Sequence, residues 1–386
     1  APGHSLWDER VLRTVRTGRR FYDSVLALDQ EILAAAGPGA PERLRERLGR
    51  GVDVVALPPW PRTPGLARVT RQLHAYRIAR QARALAPDVV HIHETGVLGL
   101  LVAFWIRRLL PGCRIIFDYH DWIPWEMAAA MRYVRPLYAG AMRVSMPLFR
   151  RMARGVDTAV CISPGQARWT REQLGIRKTV VMQNVRPRLA APPFGRTGTR
   201  PQLVWAGHVM RMRRLEEMVD VVRHLHAAGV PATLSVCGDV TEPAYADEVR
   251  RYAQDRGVGA SIVFHGRYGG DADLARLVGP GALGIATSVA EPIDTGINPI
   301  ASANKFFSYM TLGVPMLLEA AYENMAEIAV TAGAGLAFGS VEECADAALR
   351  VWSTPGLWER MSRAALGVSE RLNADVYEEV LEELYA

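Results

Sequence analysis

The sequence predicts an α/β protein made of two similar halves, each a parallel sheet covered by helices on both faces. Three observations carry this. Runs that are nearly all apolar, such as Val89–His93 and Leu203–Gly207, alternate with longer helical patterns, and strands buried on both faces read that way. A stretch crowded with Pro, Gly and Arg, residues 185–202, interrupts the alternation, which then restarts. The length of 386 residues suits two domains.

In the first half, residues 1–20 read as a loop and a helix ended by Gly18. A strand is predicted over 21–29 and another over 52–58, broken by Pro58, Pro59 and Pro61. An Arg-rich helix runs from about Leu66 to Leu85, then come the strand 89–93 and an apolar helix over 97–110. The strand 114–120 opens into a loop, Asp121 to Glu126. A basic, Met-rich helical segment over 127–154 leads to short strands at 158–163 and 179–184.

The second half repeats the pattern, with strands at 203–207, 232–238, 261–266 and 282–288. An amphipathic helix over 212–229 closes on Gly229, and a further helix covers 271–278. A polar loop then runs into a helix that begins at Ser302–Lys305 and stops at Gly313-Val314-Pro315. A loop feeding a helix N-terminus offers unpaired N–H groups to an anion. Lys305 in that first turn opposes the helix dipole, which points to an anionic neighbour, whereas a solvated surface lysine is the plainer reading.

The formal charge is +6, mostly from arginine. It suits phosphate groups or an anionic surface, and no nucleic-acid-binding signature accompanies it. Cys113, Cys161, Cys237 and Cys344 are scattered without CxxC or CxxH spacing, so neither disulfides nor a zinc site is expected and a reducing cytoplasm is the expected location. The longest apolar run, Val97 to Ile106, is too short to span a bilayer. The chain opens Ala-Pro-Gly-His, without a signal-peptide pattern and without methionine, which leaves room for a preceding segment. GxGxxG, GxxxxGK[ST], GxSxG and HExxH are all missing, which removes the simplest dinucleotide, P-loop, hydrolase and zinc-protease readings.

Five blocks in order, 87–94, 115–121, 159–163 with 180–184, 203–218 and 303–315, resemble glycosyltransferase family 4. The closing segment 372–386 resembles the last helix of that family. The resemblance implies the GT-B fold, two Rossmann-like domains facing across a cleft, with retention at the anomeric carbon. On this reading residues 1–188 form the acceptor-side domain, 189–202 the linker and 203–365 the nucleotide-sugar domain. Residues 366–386 form a helix packing back on the first domain.

The resemblance also assigns roles. His120 matches a histidine near the donor sugar and pyrophosphate. Gly207 and Arg213 match the glycine and the second basic residue that grip the pyrophosphate, with His208 where arginine is usual and Arg211 or Arg214 as substitutes. Asn304 and Lys305 match a donor-site pair. The family's two glutamates are replaced by Ile300 and Ser308. A serine in the donor site offers one hydrogen bond, so ribose binding is weaker, differently arranged, or taken up by another residue, Glu291 or Asp294. His93, Asp121, Trp122 and Trp125 are acceptor-side candidates, the tryptophans through stacking.

The activity these assignments imply is a sugar transfer from a nucleoside-diphosphate-sugar, a UDP-sugar ahead of GDP- or dTDP-sugars. The acceptor is a hydroxyl on a cell-envelope glycan, a lipid or a small natural product. No metal is expected. The segment 131–154 offers either peripheral contact with an anionic membrane at its cytoplasmic face or a partly buried basic helix pair, and oligomeric state is open. Loss of both glutamates keeps a non-catalytic partner protein as an alternative. An epimerase recruiting Glu94, Asp118, Asp121 or Glu126 is another.

Overall fold

The computed structural model describes residues 13–22, 24–29, 67–93, 96–118, 122–130, 135–187, 201–279, 281–288 and 295–386. The expected strand at 52–58, most of the linker, and Glu94, His120, Asp121, Glu291 and Asp294 lie outside them. The chain divides into two compact units. One holds the described residues up to Gln183 with Thr295–Ile297 and Tyr377–Ala386; the other holds those from Asn184 to Ser288 with Asn298–Val376.

The first unit is a five-stranded parallel sheet in the order β1 (Val25–Asp29), β2 (Val89–His93), β3 (Arg114–Asp118), β4 (Thr158–Cys161) and β5 (Lys178–Val181). Because side chains alternate along a strand, Val90, Ile92, Ile115 and Phe117 fall on one face. There they pack under the apolar helix Gly96–Leu109 and the helix Tyr138–Ala153. Val89, Ile116 and Val160 fall on the other face, which Leu381, Leu384 and Tyr385 of the last helix cover. Burying each of those three side chains stabilises the unit by about 1.5–3 kcal/mol. Arg114 caps that helix, its guanidinium donating to the carbonyls of Leu384 at 2.6 Å and Tyr385 at 3.1 Å, two of the groups a helix C-terminus leaves unpaired.

Strand β3 is described as far as Asp118, and the rest of the expected strand lies outside the described residues. Local structure departs from the sequence reading at two places. Residues 123–126, expected in a loop, instead start a helix, Ile123–Ala130, with Pro124 in its first turn, where no N–H is missed. The segment that covers the sheet starts at Tyr377, whereas residues 366–371 continue the helix Leu357–Arg371 of the second unit. The crossing therefore begins eleven residues after the expected boundary at 366, because the apolar stripe of the preceding helix runs unbroken through it.

The second unit is a six-stranded parallel sheet. Its strands are β6 (Gln202–Ala206), β7 (Thr233–Cys237), β8 (Ile262–Gly266), β9 (Leu283–Ala286), β10 (Met316–Glu319) and β11 (Gly335–Phe338), in the order β11-β10-β9-β6-β7-β8. The chain winds outward from β6 in one direction and from β9 in the other, so a topological switch point lies between β6 and β9. Open α/β sheets bind ligands beyond the carboxyl ends of the strands at such a point. Pairing of β6 with β9 stops at Val204 and Gly284. Beyond it the Tyr309 hydroxyl takes the place of a strand partner, accepting from Ala206 N and donating to Val204 O, both at 2.9 Å. The Tyr309 side chain thus stands beside β6 at the carboxyl end of the sheet, where the pairing with β9 has stopped.

Candidate functional site

Strand β6 ends on Gly207 and β7 on Gly238, at φ +151° and +150°, a backbone region that side chains rarely adopt. A Cβ on Gly238 would stand 1.8 Å from the Gly207 carbonyl oxygen. The two glycines therefore let the ends of β6 and β7 touch, and Gly207 N donates to Cys237 O at 2.9 Å. The result is a side-chain-free ledge at the switch point.

Lys305 reaches this ledge from the first turn of the helix Asn304–Thr311, which buries every residue from Lys305 to Thr311. Lys305 is only 7% exposed. Its Nζ lies 4.3 Å from the centroid of the Trp205 ring and 3.7 Å from where a Gly207 Cβ would stand. Among the described residues Nζ has no hydrogen-bond partner. Burial, and then the neighbouring Arg213 guanidinium, push its pKa well below the usual lysine value. The helix start has no side-chain cap, and of its first N–H groups Phe306 N donates to Ala303 O at 3.0 Å.

Arg213 ends the short turn Arg211–Arg213 that follows β6. Its Nη1 donates to the Tyr322 hydroxyl at 3.4 Å, and its carbonyl accepts from Thr287 Oγ1 at 3.3 Å. No carboxylate lies within 4.0 Å of its guanidinium among the described residues. Its neighbours differ. Arg211 turns to the surface, pairing with Glu248 at 2.5 Å and stacking on Tyr245. Arg214, at φ +51°, is spent on Glu319 at 2.5 Å, Ser288 Oγ at 2.9 Å and Glu217 at 2.8 Å. Neither replaces Arg213, and His208 is exposed. Arg213 and Lys305 thus form a positive pair at the end of β6, without an acidic counter-ion among the described residues.

Ser308 is fully buried. Its hydroxyl donates to Asn304 O at 3.2 Å and accepts from Arg186 Nε at 3.1 Å, and Arg186 also faces Asp271 at 3.6 Å. The position expected to carry a ribose-binding glutamate is therefore closed by an arginine. Asn304 itself is exposed at the helix start, and Ile300 lies in the short helix Ile297–Ile300.

Residues 16–184 match the model of the glycosyl transferase 4-like domain. The match covers 169 of the 386 residues, nearly all of them in the first unit. Among solved structures, Anabaena Alr3699/HepE in complex with UDP and glucose is 15% identical, with a TM-score of 0.66 over 98% of this chain and 95% of that one. A glycosyltransferase from Rickettsia africae is 13% identical, with a TM-score of 0.67 over 98% and 93%. WaaG, a glycosyltransferase involved in lipopolysaccharide biosynthesis, is 12% identical, with a TM-score of 0.62 over 100% and 97%. At these identities the likeness shows the fold, which is GT-B. No curated protein matches the sequence.

In the first unit several expected site residues are structural. Trp122 is 6% exposed, donates from Nε1 to Thr295 O at 2.6 Å and packs at 4.6 Å against Trp169, so it is not available for stacking on a ligand. Trp125 is half-buried in the helix Ile123–Ala130. His93 is 2% exposed. It stacks parallel on His91 at 4.3 Å and faces Asp118, whose Oδ2 lies 3.3 Å from His93 Nδ1. These groups sit on the sheet face that the last helix covers, which withdraws His93 from the acceptor and Asp118 from any epimerase role.

Sequence reasoning missed Trp205, Gly238, Tyr322 and Arg186. The glycine was legible: β6, β7 and β8 each close on one, Gly207, Gly238 and Gly266. Trp205 looked like ordinary strand core, and nothing in the sequence ties Arg186 to Ser308.

Proposed function

We propose that the chain is a glycosyltransferase whose second unit holds a nucleoside-diphosphate-sugar by its diphosphate. The observation that carries this is the cation pair Arg213 and Lys305, set without a described counter-anion at a switch point beside a glycine ledge. Arg213 offers a charged fork for phosphate oxygens and Lys305 a point charge. The match of residues 16–184 to the glycosyl transferase 4-like domain and the HepE complex with UDP and glucose support a UDP-sugar donor ahead of GDP- or dTDP-sugars.

In the transfer, the bond between the anomeric carbon and the β-phosphate oxygen breaks and the acceptor oxygen bonds to that carbon. The acceptor proton passes to the departing diphosphate. With retention, the acceptor enters on the face the diphosphate leaves. Arg213 and Lys305 stabilise the charge that grows on the leaving group, the electrostatic share of catalysis. The enzyme's remaining task is to position the acceptor. His120 would contact the donor sugar, as the family resemblance implies, and Asp121 and Trp125, which follow it at the ligand end of the sheet, would serve the acceptor; no metal takes part. The role of His208 narrows to the mouth of the ledge. Ribose contact would rest on Glu291, because Ser308 is occupied by Arg186. The first unit serves as the acceptor domain and the second as the donor domain.

The helix Tyr138–Ala153 adds a partner. Leu137, Val144 and Leu148 project from its outer face, Val144 being 79% exposed. Arg143, Arg151 and Arg154 lie beside them at the surface, and no acidic residue occurs between Met127 and Val156. An exposed apolar stripe in an all-positive setting suits peripheral seating on an anionic lipid surface. None of the described helices is long and apolar enough to cross a membrane. We place the enzyme at the cytoplasmic face of such a membrane, with a hydroxyl acceptor in or near it.

The test is a panel of labelled UDP-, GDP- and dTDP-sugars incubated with lipid and small-molecule hydroxyl acceptors. Acceptor-dependent release of one nucleoside diphosphate, with the glycosidic configuration of the donor kept in the product, supports the proposal. Tight nucleotide binding with no turnover on any acceptor favours a non-catalytic partner, the reading that the closed Ser308 position motivates.

A further inference from the structure

We propose that His91, His93 and Asp118 form a buried site for a divalent metal ion of the zinc class, which fastens the last helix of the chain to the first sheet. This inference is independent of the transfer reading. The three residues each offer one ligand atom, and these atoms all lie within 4.8 Å of one another. His91 Nε2 is 3.8 Å and His93 Nδ1 3.3 Å from the same oxygen, Asp118 Oδ2. Tetrahedral zinc holds nitrogen and oxygen at about 2.0–2.2 Å, which sets neighbouring ligand atoms about 3.4 Å apart. The two spacings to Asp118 Oδ2 bracket that value.

The sequence makes this arrangement through strand geometry alone. His91 and His93 are two apart on β2 and so share a face, and Asp118 is the register partner of His93 on the adjacent β3. The rings stack at 4.3 Å with an interplanar angle of 6°, so both present an edge to one carboxylate. Two stacked imidazolium ions in a dry interior repel; two neutral imidazoles sharing a cation with a carboxylate do not. All three residues are at most 2% exposed, so an ion they held would be shielded from bulk water, and with three protein ligands its fourth tetrahedral position is left to another donor.

Tyr385 supplies what a metal-bound histidine needs behind it. Its hydroxyl lies 2.7 Å from His91 Nδ1. With Nδ1–H donated to the phenol, Nε2 turns its lone pair toward Asp118 Oδ2, the orientation that outer partners impose on ligating histidines. Tyr385 belongs to the last helix, Val376–Tyr385, so ligand geometry and helix seating are one arrangement. Metal affinity then becomes folding free energy for that contact.

The experiment measures metal in the full-length protein expressed with added zinc, followed by the absorption spectrum of its cobalt(II) form and its melting temperature with and without chelator during refolding. The proposal predicts about one zinc per chain, and tetrahedral cobalt bands without a thiolate charge-transfer band. It also predicts a lower melting temperature after refolding in chelator, restored by zinc. His93→Ala and Asp118→Asn lose the metal, while Tyr385→Phe keeps it with weaker retention. Protein that carries no stoichiometric metal and gives only hydrated, six-coordinate cobalt overturns the proposal, as does metal that survives both ligand variants. Should either variant fail to fold, the cobalt spectrum of the unsubstituted protein decides.

Discussion

The Lys305 ammonium stands 4.3 Å from the centre of the Trp205 ring, with no hydrogen-bond partner among the described residues and almost no access to water. A cation in that position costs stability, because the aromatic face returns only part of its lost hydration. A site that carries such a cost is set up for an anion that the free protein does not supply.

Lys305→Met tests this trade directly. The substitution keeps the length and removes the charge, so the free protein gains about 1–3 kcal/mol of stability and its melting temperature rises by several degrees. Nucleoside-diphosphate binding falls at least about tenfold, the loss of one charge-assisted contact. Thermal melts with and without nucleotide check both halves.

Proton linkage gives a second test. The free protein holds Lys305 below its ordinary pKa, through burial first and Arg213 second. The unfolded chain therefore binds more protons between that lowered value and 10.5, and stability rises with pH across this window. A bound diphosphate favours the charged amine and raises its pKa again. Binding is thus coupled to proton uptake and weakens as pH rises through the lowered value. Calorimetry in two buffers of different ionisation enthalpy reads the uptake, and Lys305→Met abolishes it.

Gly238→Ala tests the ledge. The new Cβ would meet the Gly207 carbonyl at 1.8 Å, backbone against backbone, at a φ of +150°. Neither strand end can yield cheaply, and the expected cost is about 2–4 kcal/mol. Gly229→Ala, at a helix end with open space around it, costs about 1 kcal/mol. Denaturant melts of the two variants separate the cases.

Much of the fold was legible, because nearly all-apolar strands spaced by helices admit few other architectures. Gly207, Arg213 and Lys305, read as a donor-phosphate set, converge at the switch point. Partnership was not legible. Trp122 looked exposed because it comes just after a strand end, yet its N–H is satisfied by Thr295, distant in sequence. Arg211, Arg213 and Arg214 are chemically alike in the sequence, and only the positions of Glu248 and Glu319 show which two are already neutralised. His93 obeys the rule for ligand-end residues but lies on the face that the last helix covers. In that helix Tyr385 meets His91, the stacking partner of His93, from 294 residues away.

The membrane proposal is checked by sedimentation with vesicles. Wild-type protein binds vesicles containing phosphatidylglycerol, binds neutral phosphatidylcholine vesicles weakly, and releases at high salt. Val144→Glu with Leu148→Glu removes binding without altering the melting temperature, because both side chains project into water. Equal binding of the double variant would contradict this seating.

The donor site itself is tested by calorimetric titration of UDP, GDP, dTDP and ADP into the purified protein and into Arg213→Ala. One nucleotide, UDP ahead of the others, is expected to bind the wild type. The variant should bind it about ten- to a hundredfold more weakly, the effect of losing a charge-assisted phosphate contact of about 1.5–3 kcal/mol. No binding by any of the four, or binding that Arg213→Ala leaves unchanged, would contradict the donor site at the β6 switch point.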